Sequence, residues 1–248
     1  MTRLHLHSFG DHLTSVLLLH GLSSAGPVWW RVAEALADDG HSCLAPDLRG
    51  HGESPHVFGY ELDGYAEDVV ETCSGPWDLV VGHSLGGAVA VRAGEINPGF
   101  AGAYLLIDPV IDLAPSTIAQ LRLDLVAEAE HPPSVEEIVA DHPKWHREDA
   151  VRKHAAVLAT SADVMAATFD DNPEWLLGGE LSAIDAPVHI LGAEQEPLYT
   201  ADDFQRHTRP DSALTFEIVP NTAHSIYRDD PKTVITRALE LLNSQVAE

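Results

Sequence analysis

Ser84 stands in Gly82-His83-Ser84-Leu85-Gly86, a G-x-S-x-G pentapeptide between the apolar run Asp78-Leu79-Val80-Val81 and the helical run Ala88-Val89-Ala90-Val91. A serine on so sharp a strand-to-helix turn occupies a strained backbone, which glycines two positions before and after it accommodate. Its hydroxyl is pushed into the open. The N–H of Leu85, at the positive end of the following helix, faces the place where an oxyanion would form. A serine hydroxyl is a poor nucleophile until a neighbouring imidazole takes its proton, so the chemistry needs a histidine at the same end of the sheet. Of the 15 histidines, His224 fits this place. It follows the last expected strand, and Pro220-Asn221 makes a turn that lifts it over the sheet edge. The competing explanation is a Gly-rich packing turn and a surface histidine; the strand-turn-helix setting argues against it.

The elements that must hold these residues alternate short apolar runs with helix-length amphipathic segments, the pattern of a mostly parallel sheet covered by helices on both faces. Strands are expected at 4–9, 16–20, 42–46, 79–81, 104–107, 188–191 and 214–219, and helices at 29–39, 62–72, 85–96, 200–207 and 231–245. Between Pro109 and Asp185 the rhythm fails: helical patterns at 117–130 and 147–161 occur without a convincing strand. His131-Pro132-Pro133, His142-Pro143, Asn172-Pro173 and Gly178-Gly179 would break that stretch into short helices. The reading is therefore an α/β core formed by residues 1–108 and 186–248, with a helical cap inserted at 109–185.

Composition narrows the partners. Among 248 residues, 14 Lys and Arg face 39 Asp and Glu, a formal net charge of −25. Phosphate backbones need a basic face, so nucleic acid is not an expected partner. The charge is spread along the chain and says little about substrate. No stretch reaches the roughly 18 apolar residues of a membrane span, and the opening Met-Thr-Arg-Leu-His-Leu-His lacks the apolar core of a secretory signal. The expectation is a cytoplasmic protein. Cys43 and Cys73 have no metal-binding spacing and read as small core residues, not as a disulfide.

With these features in hand, the sequence resembles an α/β-hydrolase-fold protein, of the cap-bearing esterase and carbon–carbon hydrolase kind. Besides the serine pentapeptide, Val16-Leu17-Leu18-Leu19-His20-Gly21-Leu22, Asp47-Leu48-Arg49-Gly50-His51-Gly52-Glu53-Ser54 and Asn221-Thr222-Ala223-His224-Ser225 carry the likeness. The resemblance implies that the N–H of Leu22 completes the oxyanion hole begun by Leu85, and that Ser84 and His224 belong to a triad. The third member departs from the pattern. Most relatives supply an aspartate in G-x-x-D after the penultimate strand, but Gly192-Ala193-Glu194-Gln195-Glu196 puts Gln195 in that slot. A neutral amide cannot stabilise an imidazolium by charge. Either Glu194 or Glu196 moves in, or Asp108, 24 residues after Ser84 at the end of the strand 104–107, supplies the acid as in some family members, haloalkane dehalogenases among them. A Ser-His dyad is the remaining case. Asp108 is the leading choice, although many relatives keep a structural aspartate there.

Other candidates read as structural. Asp47, Arg49 and Glu53 look like a polar brace, Trp29 and Trp30 like helix packing, and Ser23 and Ser24 like loop or capping residues, with an extra oxyanion donor as the alternative. Phe169, Trp175, Met165 and Tyr199 could line a cavity under the cap but suit ordinary core. His142 and His146 lack a third ligand, so no metal is expected. The resulting expectation is hydrolysis of a small or medium carboxylic ester, thioester or lactone through an acyl-enzyme, with neither metal nor organic cofactor. The alternatives are a carbon–carbon hydrolase acting on a diketone, with Arg122, Arg147 or Arg152 as the cap cation, a cofactor-free lyase, and a non-catalytic ligand-binding receptor on the same fold.

Overall fold

The structure, a computed structural model, describes residues 2–11 and 14–245. Apolar residues alternate along each central strand, and this period of two sends them to two separate cores. The strands are β1 (Leu6–Phe9), β2 (Thr14–Leu19), β3 (Ser42–Pro46), β4 (Leu79–His83), β5 (Tyr104–Ile107), β6 (Val188–Ala193) and β7 (Leu214–Val219). They form one sheet in the order β1-β3-β2-β4-β5-β6-β7. β1 is antiparallel to β3 and the other pairings are parallel.

On one face Leu17, Leu19, Val80, Leu106 and Ile190 pack with Tyr65 and Val69 of α2 (Leu62–Thr72) and Ala88 and Val91 of α3 (Leu85–Ile96). On the other, Val16, Leu18, Val81, Leu105 and Leu191 meet Leu36 of α1 (Trp30–Asp38) and, from the C-terminal helix 231–245, Val234, Ala238 and Leu242. Fully burying each aliphatic side chain contributes roughly 1.5–3 kcal/mol, which is why the strands between β2 and β6 read as continuous apolar runs.

Five helices stand between β5 and β6: α4 (Pro115–Glu130), α5 (Val135–Asp141), α6 (Arg147–Leu158), α7 (Ala162–Asp170) and α8 (Gly178–Ala183). They form the inserted cap. Its helices end where the sequence placed breakers: His131-Pro132-Pro133 closes α4, after which Ser134 opens α5 with a capping box, and His142-Pro143 closes α5. Ser161, expected to end a helix, instead caps α7 by accepting the N–H of Val164. Gly178-Gly179, expected to help break the stretch into short helices, stands at the start of α8, where Gly178 N–H is anchored on Asp112.

The cap is tied to the core on two sides. Asp149 of α6 accepts hydrogen bonds from Trp30 and Arg31 of α1, and Asp171 and Asn172 hold the backbone around Tyr60 and Leu62. After β6 come α9 (Ala201–His207), β7, α10 (Ile226–Asp229) and α11 (Pro231–Gln245). Asp230 caps α11 through Thr233.

The loop after β3 is braced from within. Arg49 Nε donates to Asp68 at 2.8 Å, both side chains being buried, and the guanidinium also reaches the carbonyls of Gly59 and Gly64. Removing one member of such a buried pair strands the other charge. Asp68→Ala is therefore expected to destabilise the protein by about 3–5 kcal/mol, measured as a lowered urea midpoint, while an exposed control, Asp170→Ala at the Arg122 pair, stays within about 1 kcal/mol of wild type.

Candidate active site

Ser84 joins β4 to α3 with φ 53° and ψ −118°. This left-handed conformation is strained for a residue with a side chain, and the surroundings hold it. Its N–H donates to the Ile107 carbonyl at 3.1 Å, and its own carbonyl accepts from Gly87, Ala88 and Val110. Gly86 is needed for close approach: a Cβ there would lie 2.2 Å from the Leu19 carbonyl oxygen.

β4 pairs with β5 so that His83 lies opposite Ile107. The next residues, Ser84 and Asp108, therefore leave the sheet side by side. Asp108 is wholly buried, also has positive φ, 39°, and accepts the N–H groups of Leu198 and Tyr199. Its Oδ2 takes a third hydrogen bond, from His224 Nδ1 at 2.6 Å. That bond fixes the imidazole tautomer, leaving Nε2 to exchange a proton. Glu194 instead accepts the N–H of Asn221, and so holds the loop that carries His224.

Ser84 and His224 line one cavity of about 310 Å³, together with Leu22 and Leu85. No hydrogen bond joins the hydroxyl to the imidazole among the described residues; this contact commonly tightens only around substrate. Leu85 is the first residue of α3, where N–H groups have no intrahelical acceptor. The loop of Leu22 is set by His20, whose Nε2 accepts the N–H of Leu48 at 2.9 Å while Nδ1 donates to the Gly21 carbonyl at 2.8 Å. His83 Nε2 donates to the carbonyl of His224 at 3.0 Å, tying the serine turn directly to the imidazole loop.

The family follows at once from comparison with known proteins. A profile of the alpha/beta hydrolase family matches residues 16–237. The chain belongs to this family. It is 33% identical over 122 residues to lipase LipV of Mycobacterium tuberculosis, covering 48% of this chain and 46% of the lipase. The chain thus matches about half the length of that relative. With esterase Rv0045c of the same organism the identity is 24%, over 92% of this chain and 82% of the esterase. The crystal structure of E-2-(acetamidomethylene)succinate hydrolase superimposes with a TM-score of 0.82 at 22% identity, over 98% of this chain and 99% of that one. That last likeness is one of fold.

Several residues fall outside the cavity. Arg122 pairs with Asp170, Arg147 with Glu136 and Arg152 with Glu148, and none of the three lines it. His142 lines the cavity and stacks on Trp145, whereas His146 lies outside it and caps α6. Trp29 is buried against Tyr227, and Asp47 braces the loop by accepting from Gly26, Glu53 and His7. Phe169 and Trp175 do line the cavity; Met165 is buried core, and Tyr199 packs with His207. Sequence reasoning missed Lys153, Glu128 and Arg228, which also line the cavity. Arg228 stands four residues past His224, a spacing that would have been the signal.

The histidines behind the site are kept neutral. Burial lowers the His20 imidazole and, more strongly, that of His83, where neighbouring His224 and Arg228 add to the effect. Burial and the nearby His20 bring His51 down to about 3. Below pH 6.5 the unfolded chain takes up protons that these native imidazoles refuse, so stability is lost as pH falls. For His51 the window runs from 6.5 to about 3, with a slope of at most about 1.4 kcal/mol per pH unit for one group. Burial alone would raise Asp47, yet hydrogen bonds from His7, Glu53 and Gly26 with the nearby His20 bring it to about 2, adding an acid-side loss below 3.8. Thermal melts between pH 7 and 4 are expected to fall steadily, and His51→Gln is expected to show a shallower fall than wild type. Equal slopes would remove His51 from this account.

Proposed function

We propose that the protein is a serine hydrolase of small or medium carboxylic esters, thioesters or lactones. The reading rests on one observation above the others: His224 is hydrogen-bonded through Nδ1 to a buried carboxylate while facing the same cavity as a serine on a strained turn. Membership in the alpha/beta hydrolase family and likeness to a lipase and an esterase support it.

In the proposed cycle His224 Nε2 removes the Ser84 proton as Oγ attacks the carbonyl carbon. The carbonyl π electrons move to oxygen, where the N–H groups of Leu22 and Leu85 hold the negative charge. Collapse of the tetrahedral intermediate breaks the bond to the leaving group, which takes the proton from His224. Water, deprotonated by the same imidazole, then attacks the acyl-enzyme and releases the acid. Asp108 holds the imidazole in the right tautomer and stabilises its cation.

A volume of about 310 Å³ and an apolar wall containing Val110, Leu113, Phe169 and Trp175 suit a short to medium acyl group. No helix among the described residues is long and apolar enough to cross a membrane. Cys43 and Cys73 are free and buried, which supports work in a reducing compartment such as the cytoplasm.

A fluorophosphonate is expected to label wild type but not Ser84→Ala, and p-nitrophenyl esters of graded length to be turned over by wild type alone. Asp108→Asn is expected to lower kcat by about 10⁴, while Glu196→Gln changes it only a few-fold. Full activity in a folded Asp108→Asn protein would remove Asp108 from the triad, and absent labelling would overturn the hydrolase reading.

A further inference from the structure

Among the described residues, one cation lining the cavity has no carboxylate partner. Arg228 of α10 is 4% exposed and lines the cavity. Its Nε and Nη2 are buried without a hydrogen-bond partner, and Nη1 reaches only Ser225 Oγ, at 3.4 Å. No carboxylate pairs with it among the described residues. The guanidinium lies instead against the rings of Trp145, at 4.7 Å, and Tyr227, at 4.8 Å. Aromatic faces attract a cation but leave its N–H groups unsatisfied.

The acids around it are engaged elsewhere. Asp229 accepts from Trp145 Nε1 at 2.9 Å and from Ala223 N–H at 2.8 Å. Glu128 pairs with Lys153 at 2.8 Å and also accepts from Ser23. Asp124 of α4 also lines the cavity, but it is exposed, accepts from Gln120 and makes no ion pair with Arg228. Other buried or half-buried cations are closed: Arg49 on Asp68, Arg31 on Asp149, Lys153 on Glu128. Keeping an unpaired guanidinium out of water is costly unless something completes it.

We propose that Arg228 receives a carboxylate carried by the substrate, so that the hydrolase acts on acyl compounds bearing one free carboxylate beside the bond it cleaves. This rests on the hydrolase reading and narrows it. Arg228 is four residues from His224 and packs with Trp145 and Tyr227, whereas Val110, Leu113, Leu121, Leu125, Phe169 and Trp175 belong to or pack on the apolar cluster shared by the core and the cap helices. The carboxylate is thus held near the imidazole side and the carbon chain along the apolar wall. A single unpaired guanidinium matches a planar monoanion, with two parallel N–H···O bonds, better than a phosphate dianion.

The test compares the p-nitrophenyl hemiester of glutaric acid with its methyl ester, which has the same chain without the charge. Wild type is expected to favour the free acid by about tenfold or more in kcat/KM, the gain of a charge-assisted pair. Arg228→Gln is expected to bring the ratio towards one, and Arg228→Lys to restore part of it. A merely structural role would slow both esters alike and leave the ratio untouched. A wild-type ratio near one, with the methyl ester turned over, overturns the carboxylate proposal and leaves the hydrolase reading intact.

If neither ester is turned over and fluorophosphonate fails to label Ser84, the hydrolase reading fails separately. Calorimetric binding of monomethyl glutarate against dimethyl glutarate to wild type then decides the Arg228 site alone, as it does if Arg228→Gln fails to fold: preference for the monoanion supports it and equal binding overturns it. Tighter binding of monobutyl phosphate than of monomethyl glutarate overturns the choice of carboxylate.

Discussion

The strained backbone of Ser84 is the constraint on which the site depends. Holding φ at 53° costs on the order of 1–3 kcal/mol, and a flexible loop would relax it. Here β4 is buried between β2 and β5, the Ser84 N–H is fixed on Ile107, and its carbonyl takes three N–H groups. The neighbouring strand end repeats the device, since Asp108 is also at positive φ and its N–H is fixed on Leu191. Two adjacent strands therefore deliver a hydroxyl and a carboxylate to one edge of the sheet. His224, arriving from beyond β7, bridges to the second of them.

A frame of neutral histidines surrounds this edge. His20 is locked by one donated and one accepted hydrogen bond, and His83 spans from the serine turn to the His224 carbonyl. Because burial keeps both uncharged, neither competes with His224 for a proton near neutral pH. His83 also adjoins Gly21, where a Cβ would lie 3.0 Å from its ring and from Ser84. The loop of Leu22, the serine turn and the imidazole loop are consequently one packed unit, and a shift in any of them moves the others.

How much of this was legible in the sequence depends on whether the signal was local. The pentapeptide around Ser84 sits on a strand and a helix whose periodicities differ, so the turn between them could be read directly. The cap was visible as a loss of alternation and its helix boundaries as prolines and glycines, although the anchor of Gly178, Asp112, lies too far away in sequence to be read. The carboxylate facing His224 was ambiguous for a similar reason. Gln195 removes the local pattern, and only the β4–β5 register and the fold of the last loop bring Asp108 to 2.6 Å of His224 while Glu194 turns to Asn221. Arg228 was illegible as an unpaired charge, since pairing is settled by which acids other elements bring near.

The overall charge of −25 and an unpaired cation in the cavity are compatible because they act over different distances. Exposed carboxylates are screened within about 8–10 Å at physiological ionic strength, so their repulsion of an anion is weak beyond the surface layer. The guanidinium is itself only 4% exposed, so solvent screens it poorly and it is felt strongly at contact. The surface field thus acts mainly on how often an anion arrives, whereas Arg228 acts on how long it stays. The same separation explains why Lys153 does not duplicate it. Glu128 and Ser23 consume that ammonium, turning it into a strut between α6 and the loop after β2 that bears the Leu22 N–H. One buried cation supports the loop of Leu22; the other is left to meet charge from outside the chain.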